Sequence, residues 1–359
     1  MSQAGQMVLG HLFGVPHNHQ FTSQWHYQNT SICGRFRILN KIGRGVSSVV
    51  YYCENTVLRR VLAMKIITRE DGTAEAEHER LIRHEFDMQL LLSGHRSICT
   101  AHALLQVFPD SYILMDCYEG NLSGLIQGSH SANTPYNIKS LFLDVIDGVI
   151  HCHRNDIAHR NLNAYSIGVA NNSEDGMSSA VLLEFRHAVS PLLSTRPAFR
   201  GKRQYCAPEL RKTSPPGDML HNLAAADTWS LGVLLFQMVT GNFPFFGYRS
   251  RQRCKFYRKY QKGEQLQTRA PEISIELEDI LRAIFKEEPS ERIDLHQLRI
   301  LVLNCPTFYS TKGVEYTGTP HPRELETRHW QRPDQAPHYV QEHYQFMGQH
   351  LSNTYSAGI

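Results

Sequence analysis

The stretch FRILNKIGRGVSSVVYYCENTVLRRVLAMKII, residues 36–67, decides how the chain is read. β-branched and aromatic residues recur in three short runs, FRILNKIG, SVVYYCEN and VLAMKII, bounded by Gly and Asn, which is the pattern of antiparallel strands. Between the first two runs stands Gly43-Arg44-Gly45-Val46-Ser47-Ser48. Glycines there permit positive φ and let backbone N–H groups approach a phosphate, although the same residues also suit a plain hairpin turn.

Outward from this stretch, residues 75–92 carry Leu81, Phe86, Met88, Leu90 and Leu92 among charges at roughly helical spacing, and Gly94 follows as a stop. After another strand at residues 112–115 the pattern turns helical, notably in IKSLFLDVIDGVIHCHRN and TWSLGVLLFQMVTG. The expected fold class is α+β: a small antiparallel β-rich lobe with one long helix, about residues 35–116, followed by a larger mainly α-helical lobe, about 117–305. Residues 1–34, rich in His, Gln, Ser and Asn, read as a flexible arm. Residues 306–359 mix Pro, His, Gln and Tyr without clear periodicity and read as a tail expected to pack on the body in places.

Composition narrows the function classes. With 37 Lys and Arg against 34 Asp and Glu, the formal charge is +3 and the basic residues form no long blocks, so nucleic acid is not the expected partner. The eight cysteines, at 33, 53, 99, 117, 152, 206, 254 and 305, show no C-x-x-C pair and suit reduced thiols and an intracellular address, cytoplasmic or nuclear. No secretory leader is visible, and the longest apolar run, residues 231–239, is too short to cross a bilayer. The twenty histidines include His321, His329, His338 and His343 in the tail, but their spacing fits no metal signature.

Twenty residues after Gly45 comes Ala63-Met64-Lys65 on a strand, and twenty further comes Glu85 on the helix. Here the sequence resembles the protein kinase family, and HEFDMQLLLSGHRSI, residues 84–98, is similar to the helix and turn of fungal-type serine/threonine kinases. The resemblance implies that Lys65 grips nucleotide phosphates and Glu85 braces it. It also implies that Gly43, Gly45, Val50, Ala63, Met115 (as gatekeeper) and Cys117 line an ATP cleft, with the hinge in LMDCYEGNL, residues 114–122.

Downstream, His159-Arg160-Asn161-Leu162-Asn163-Ala164-Tyr165-Ser166 stands where the family has H-R-D-L-K-x-x-N. The proton-accepting aspartate is Asn161, the lysine is Asn163 and the metal-binding asparagine is Ser166. Val181-Leu182-Leu183-Glu184-Phe185-Arg186 matches the strand ending in D-F-G, with Glu184 for the aspartate and only Phe185 retained. Placing that motif at Asp175-Gly176 would leave the apolar strand 180–183 unused, so that register is rejected. The framework signatures return in Tyr205-Cys206-Ala207-Pro208-Glu209, in Asp227-Thr228-Trp229-Ser230-Leu231-Gly232 and in Arg292, which in the family pairs with the A-P-E glutamate. With His159, Arg160 and Phe185 these read as structural. Lys202 stands where the family carries a small hydroxyl residue.

The departures fall on chemistry. Phosphoryl transfer depends on positioning, on metal-neutralised charge and on a carboxylate that accepts the hydroxyl proton. Loss of a positioned general base costs about 10² to 10⁴ in rate. Ser166 offers a weaker oxygen, and Glu184 reaches one methylene too far for Mg²⁺, so a metal site is disfavoured, with Glu184 its one weak candidate. Retained Lys65 leaves ATP as a ligand the cleft could hold, against Ser48 for the third loop glycine and Gly168 for the leucine beneath the adenine; it also reads as a purely structural ion pair. The preferred reading is a pseudokinase, a scaffold or allosteric partner of another protein such as an active kinase or its substrate. The alternative is a divergent serine/threonine kinase or other ATP-using transferase of low activity. Ser194, Thr195 and Tyr205, near Arg160, Arg200 and Arg203, could be phosphorylated, but without chemistry to switch on a plain loop is the preferred reading.

Overall fold

Alternation of buried and exposed positions sets the small lobe. In the computed structural model, which describes residues 27, 29–45, 48–69, 72–107, 110–127, 135–171, 178–190, 201–211, 219–245 and 255–310, the expected strands are β2 (Phe36–Arg44), β3 (Ser48–Asn55) and β4 (Arg60–Thr68). Val49, Tyr51 and Cys53 of β3 and Leu62, Met64 and Ile66 of β4 point into one apolar cluster. Period-2 geometry therefore turns Val50, Tyr52, Ala63 and Lys65 to the other face, toward the large lobe. The sheet is six-stranded, ordered β1-β2-β3-β4-β6-β5, with β1 (Ser31–Ile32), β5 (Ala101–Val107) and β6 (Asp110–Met115). Its pairings are antiparallel throughout.

Helix α1 (Glu75–Leu91) crosses this sheet, and Gly94 follows it with φ at 92°. Below lie β7 (Gly120–Asn121), α2 (Leu122–Gln127), α3 (Pro135–Arg154), β8 (Ile167–Asn171), β9 (Ser178–Leu182), α4 (Met219–Thr240), α5 (Lys255–Gln261), α6 (Ile275–Ile284) and α7 (Leu295–Asn304). The two-lobed α+β architecture expected from the sequence is the one observed. Among the described residues α4 is long and apolar enough to cross a membrane, but 72% of its window, Leu223–Thr240, is buried inside the protein, as befits a core helix. At Gly232 of α4 a Cβ would lie 2.5 Å from Ile284 Cγ2 and 2.9 Å from Phe285 Cε1, so close helix packing requires glycine there. Cys33, Cys53, Cys99, Cys117, Cys152, Cys206 and Cys305 are free thiols.

The boundary of the N-terminal arm needs correction. The arm was expected to run to residue 34, yet β1 pairs with β2, and Tyr27 packs on the small-lobe cluster with its hydroxyl donating to Asp110 at 2.6 Å. The tail, expected from 306, packs on the body at its start: Phe308 is buried, Tyr309 bridges to Ile273 and the Ser310 N–H donates to Glu272 O. Short apolar anchors inside polar surroundings produce no periodicity, which is why composition hid them. Val46, Ser47, Asp175-Gly176, Ser194, Thr195, Arg200 and the tail histidines lie outside the described residues.

Arg292 closes the large lobe: its guanidinium donates to both oxygens of Glu209, at 2.5 and 2.7 Å, and to the carbonyls of Ala225, Lys286 and Glu287. Arg292→Ala would strand a mostly buried carboxylate, and denaturant titration should show a loss of about 3–5 kcal/mol. After the end of α1, His95 stacks on His151 of α3 at 4.5 Å. Burial, followed by the field of His151, lowers the His95 pKa to about 4, while Asp147 opposes. Between pH 4 and 6.5 the unfolded chain therefore carries a proton that the folded chain refuses, so this histidine's contribution falls as the medium is acidified. Asp144, raised to about 6 by burial, acts in the opposite sense. His95→Gln isolates the histidine: relative to wild type, the variant should gain up to about 3 kcal/mol of stability on going from pH 7.5 to 4.

Candidate functional site

Lys65 on β4 and Glu85 on α1 meet as the sequence suggests. Nζ lies 2.5 Å from Oε1, and the side chains are 10% and 3% exposed, so the ion pair is nearly dry. On the residue before Glu85, His84 Nε2 lies 2.9 Å from Ala188 O, which binds α1 to the segment after Phe185. Burial lowers the His84 pKa, so the ring is neutral and Nε2 carries the donated proton. The glycine turn is closed on itself: the Gly45 N–H donates to Ser48 O at 2.8 Å, and a Cβ on Gly45 would lie 2.8 Å from Ser48 Oγ. Gly43 pairs with Val50 across the hairpin.

The hinge is pinned from outside. Asp116 accepts from Arg60 and pairs with His102 Nε2, both at 2.7 Å, and Cys117 Sγ approaches Val61 O. Met115 is half-buried against Ile67, Ile82 and Ile113. Ala63 and Val50 face the cleft from above.

In the loop 159–166 the retained residues hold the backbone. His159 is fully buried, its Nε2 2.9 Å from Leu183 O and its ring edge-on to Phe185 at 4.9 Å. Arg160, with φ at 64°, reaches His187 O with its guanidinium. The replaced residues bond one another. Asn163 Nδ2 donates to Asn161 O at 2.7 Å, and its Oδ1 accepts from the Tyr165 N–H. Ser166 Oγ is fully buried; it donates to Asn161 O at 2.8 Å and accepts from the Asn163 N–H at 3.0 Å. Asn161 Nδ2 reaches Glu184 Oε2 at 3.3 Å.

Glu184 holds φ at 62° and faces the open cleft. The surrounding protein raises its carboxyl pKa, with Lys65 opposing and Glu85 adding to the rise. Lys202, noticed only as a departure, places Nζ 3.1 Å from the centre of the Tyr165 ring and lies in the field of Glu184. The wall formed by Arg160, Asn161, Lys202, Tyr205 and Asp227 encloses a cavity of about 10 Å³, room for one water.

Mg²⁺ fits these groups poorly. Ser166 Oγ is consumed within the loop and Glu184 is bonded to Asn161, so a Mg²⁺ ion would find one carboxylate and no partner ligand. The Gly45 N–H that could meet a phosphate is already taken. Among the described residues no cluster of three His, Cys, Asp or Glu side chains gathers. Tyr205, a phosphorylation candidate by sequence, is 4% exposed, and its hydroxyl donates to Gln237 and accepts from the Ala164 N–H, which withdraws it from modification. Sequence reading missed Tyr52, Tyr118 and Leu183, which face the same cleft; the pairing of Gly168 with a large aromatic beside the hinge was the available signal.

The sequence profile described as the protein kinase domain matches residues 36–300. The chain is 29% identical, over 75% of its length, to the negative regulator of sexual conjugation and meiosis of Schizosaccharomyces pombe, of which the match covers 60%. It is 27% identical over 76% of its length to CBL-interacting protein kinase 26 of Oryza sativa subsp. japonica, of which 52% is covered. Against the serine/threonine-protein kinase PrkC of Bacillus subtilis the values are 28%, 60% and 32%. The chain thus spans roughly a third to three fifths of the length of these relatives. From the two-lobed architecture, the Lys65–Glu85 pair, the Glu209–Arg292 clamp and a family match over most of the sequence, the chain belongs to the protein kinase family.

Proposed function

We propose that this chain is a pseudokinase: a kinase-fold module that acts inside the cell by binding another signalling protein, an active kinase or that kinase's substrate. The observation that carries this reading is the internal bonding of the catalytic loop. Members of the family typically use ATP with Mg²⁺ and need a carboxylate to receive the substrate proton. Here the position holds the amide Asn161, which donates to Glu184, while Asn163 and Ser166 spend their polar atoms bracing the loop backbone. An amide cannot serve as that base, and a hydroxyl with no exposed lone pair cannot serve as a metal ligand. The framework, in contrast, is intact, which is what a binding module requires. The large-lobe surface is where we place partner contact.

The dry Lys65–Glu85 pair, with Glu184 in the field of Lys65, favours a second reading, a divergent ATP-dependent serine/threonine kinase of low turnover.

Two measurements separate these. Purified chain incubated with Mg²⁺ and γ-labelled ATP, with and without generic protein substrates, should transfer no more phosphate than a Lys65→Met control; transfer that the control abolishes would overturn the pseudokinase reading. Ser166→Ala removes the brace, leaving the Asn163 N–H buried and unpaired. Its unfolding free energy in denaturant should drop by about 1–3 kcal/mol, and an unchanged stability would return Ser166 to the list of candidate ligands.

A further inference from the structure

We infer that Tyr118 is the resident occupant of the base subsite, so that the cleft is closed on the protein's own aromatic ring where a nucleotide base would sit. The inference rests on reading this as a kinase cleft that transfers no phosphate, and it deepens that reading.

The floor of the cleft follows from alternation. Ile167, Val169, Ala180 and Leu182 point into the large-lobe core. Gly168, paired with Val181 across the β8–β9 ladder, and Val181 and Leu183 must therefore face the other way, into the cleft. A Cβ placed on Gly168 would lie 3.0 Å from Val181 Cγ2, 3.3 Å from Leu183 Cδ1 and 3.3 Å from Tyr118 Cδ2. Three side chains from three directions thus converge on the point from which a floor side chain would rise. Even alanine there would press on all of them.

Tyr118 is the hinge residue after Cys117, and its ring runs inward. Its hydroxyl lies in the field of the thiol of Cys99, which is fully buried where the chain enters β5 and whose N–H donates to Leu182 O at 3.1 Å. The ring therefore stretches from the hinge across Gly168 toward the back of the cleft. From the roof, the Tyr52 hydroxyl lies 3.4 Å from Tyr118 O, tying small lobe to hinge. A flat aromatic with one polar handle satisfies an apolar slot as a purine would. A base could enter only by expelling the ring from its place beside Gly168. Gly168 is then explained: a leucine there would collide with the tyrosine.

The test is binding, not turnover. Wild type, Tyr118→Phe and Tyr118→Ala are titrated with adenosine and with ATP, without Mg²⁺, by calorimetry and by thermal shift. Wild type and Tyr118→Phe, which keeps the ring, should bind neither at millimolar concentration. Tyr118→Ala should bind adenosine more tightly than wild type by about tenfold or more. Should Tyr118→Ala fail to melt cooperatively, Leu183→Ala opens the same space from the opposite wall and carries the same expectation. Submillimolar binding of either ligand by wild type, or a folded opening variant that binds no better than wild type, overturns the inference. Nucleotide bound by wild type without phosphate transfer would sink the tyrosine plug alone, whereas transfer would sink the pseudokinase reading as well.

Discussion

The carboxylate of Asp227 holds the loop on which the whole cleft depends. It is 1% exposed on α4 and accepts the backbone N–H groups of His159 and Arg160, both at 2.8 Å, while His153 Nε2 of α3 lies 3.0 Å away. A buried carboxylate is tolerated only when its oxygens are satisfied, and two peptide donors plus an imidazole do so. The consequence is geometric. With its first residues anchored, the chain takes the left-handed turn at Arg160, and His159 is presented to Leu183 O and to the face of Phe185. Everything between the lobes is then referred to α4, including the bond from His84 to Ala188 and the ladder from Ser97 and Cys99 to Leu182.

Seen from this anchor, the loss of the catalytic carboxylate costs the fold little. Asp227 makes its bonds through backbone groups, which are indifferent to the side chain at 161. Asparagine can replace aspartate there because its amide still finds a partner in Glu184. Asn163 and Ser166 go further and cross-link the loop internally. Chemistry and architecture in this region are separable, since they use different atoms of the same residues.

The fold was legible in the sequence because strand alternation, the Lys65 to Glu85 spacing and the A-P-E and D-x-W-S-x-G signatures are all local or fixed in spacing. Helix α1 was found from its apolar residues, yet its buried face also includes His78, His84, Glu85 and Gln89. Those polar positions carry no hydrophobic signal; His84 and Gln89 are matched by carbonyls far along the chain or outside the helix, namely Ala188 and Cys99. Strand β5 was missed because HALLQ shows little alternation and pairs only with β6, at the sheet edge. The replaced catalytic positions could be named from sequence, but their mutual bonding could not, because Asn161, Asn163 and Ser166 give no sign of whether they face a substrate or one another.

Retention of Lys65 and Glu85 is weaker evidence for nucleotide than it first looks, and burial is the reason. With side chains 10% and 3% exposed, each is the other's replacement for water. Removing one partner of such a pair leaves an uncompensated charge and costs about 3–5 kcal/mol, a large part of a domain's total stability. Single substitutions at either position are therefore opposed by folding alone. No such buried charge restrains residue 161 or 166, whose side chains make neutral loop bonds and a single contact to Glu184. The pattern of what is kept and what is lost in this cleft follows the cost of burial, and it requires no ligand between the lobes to explain it.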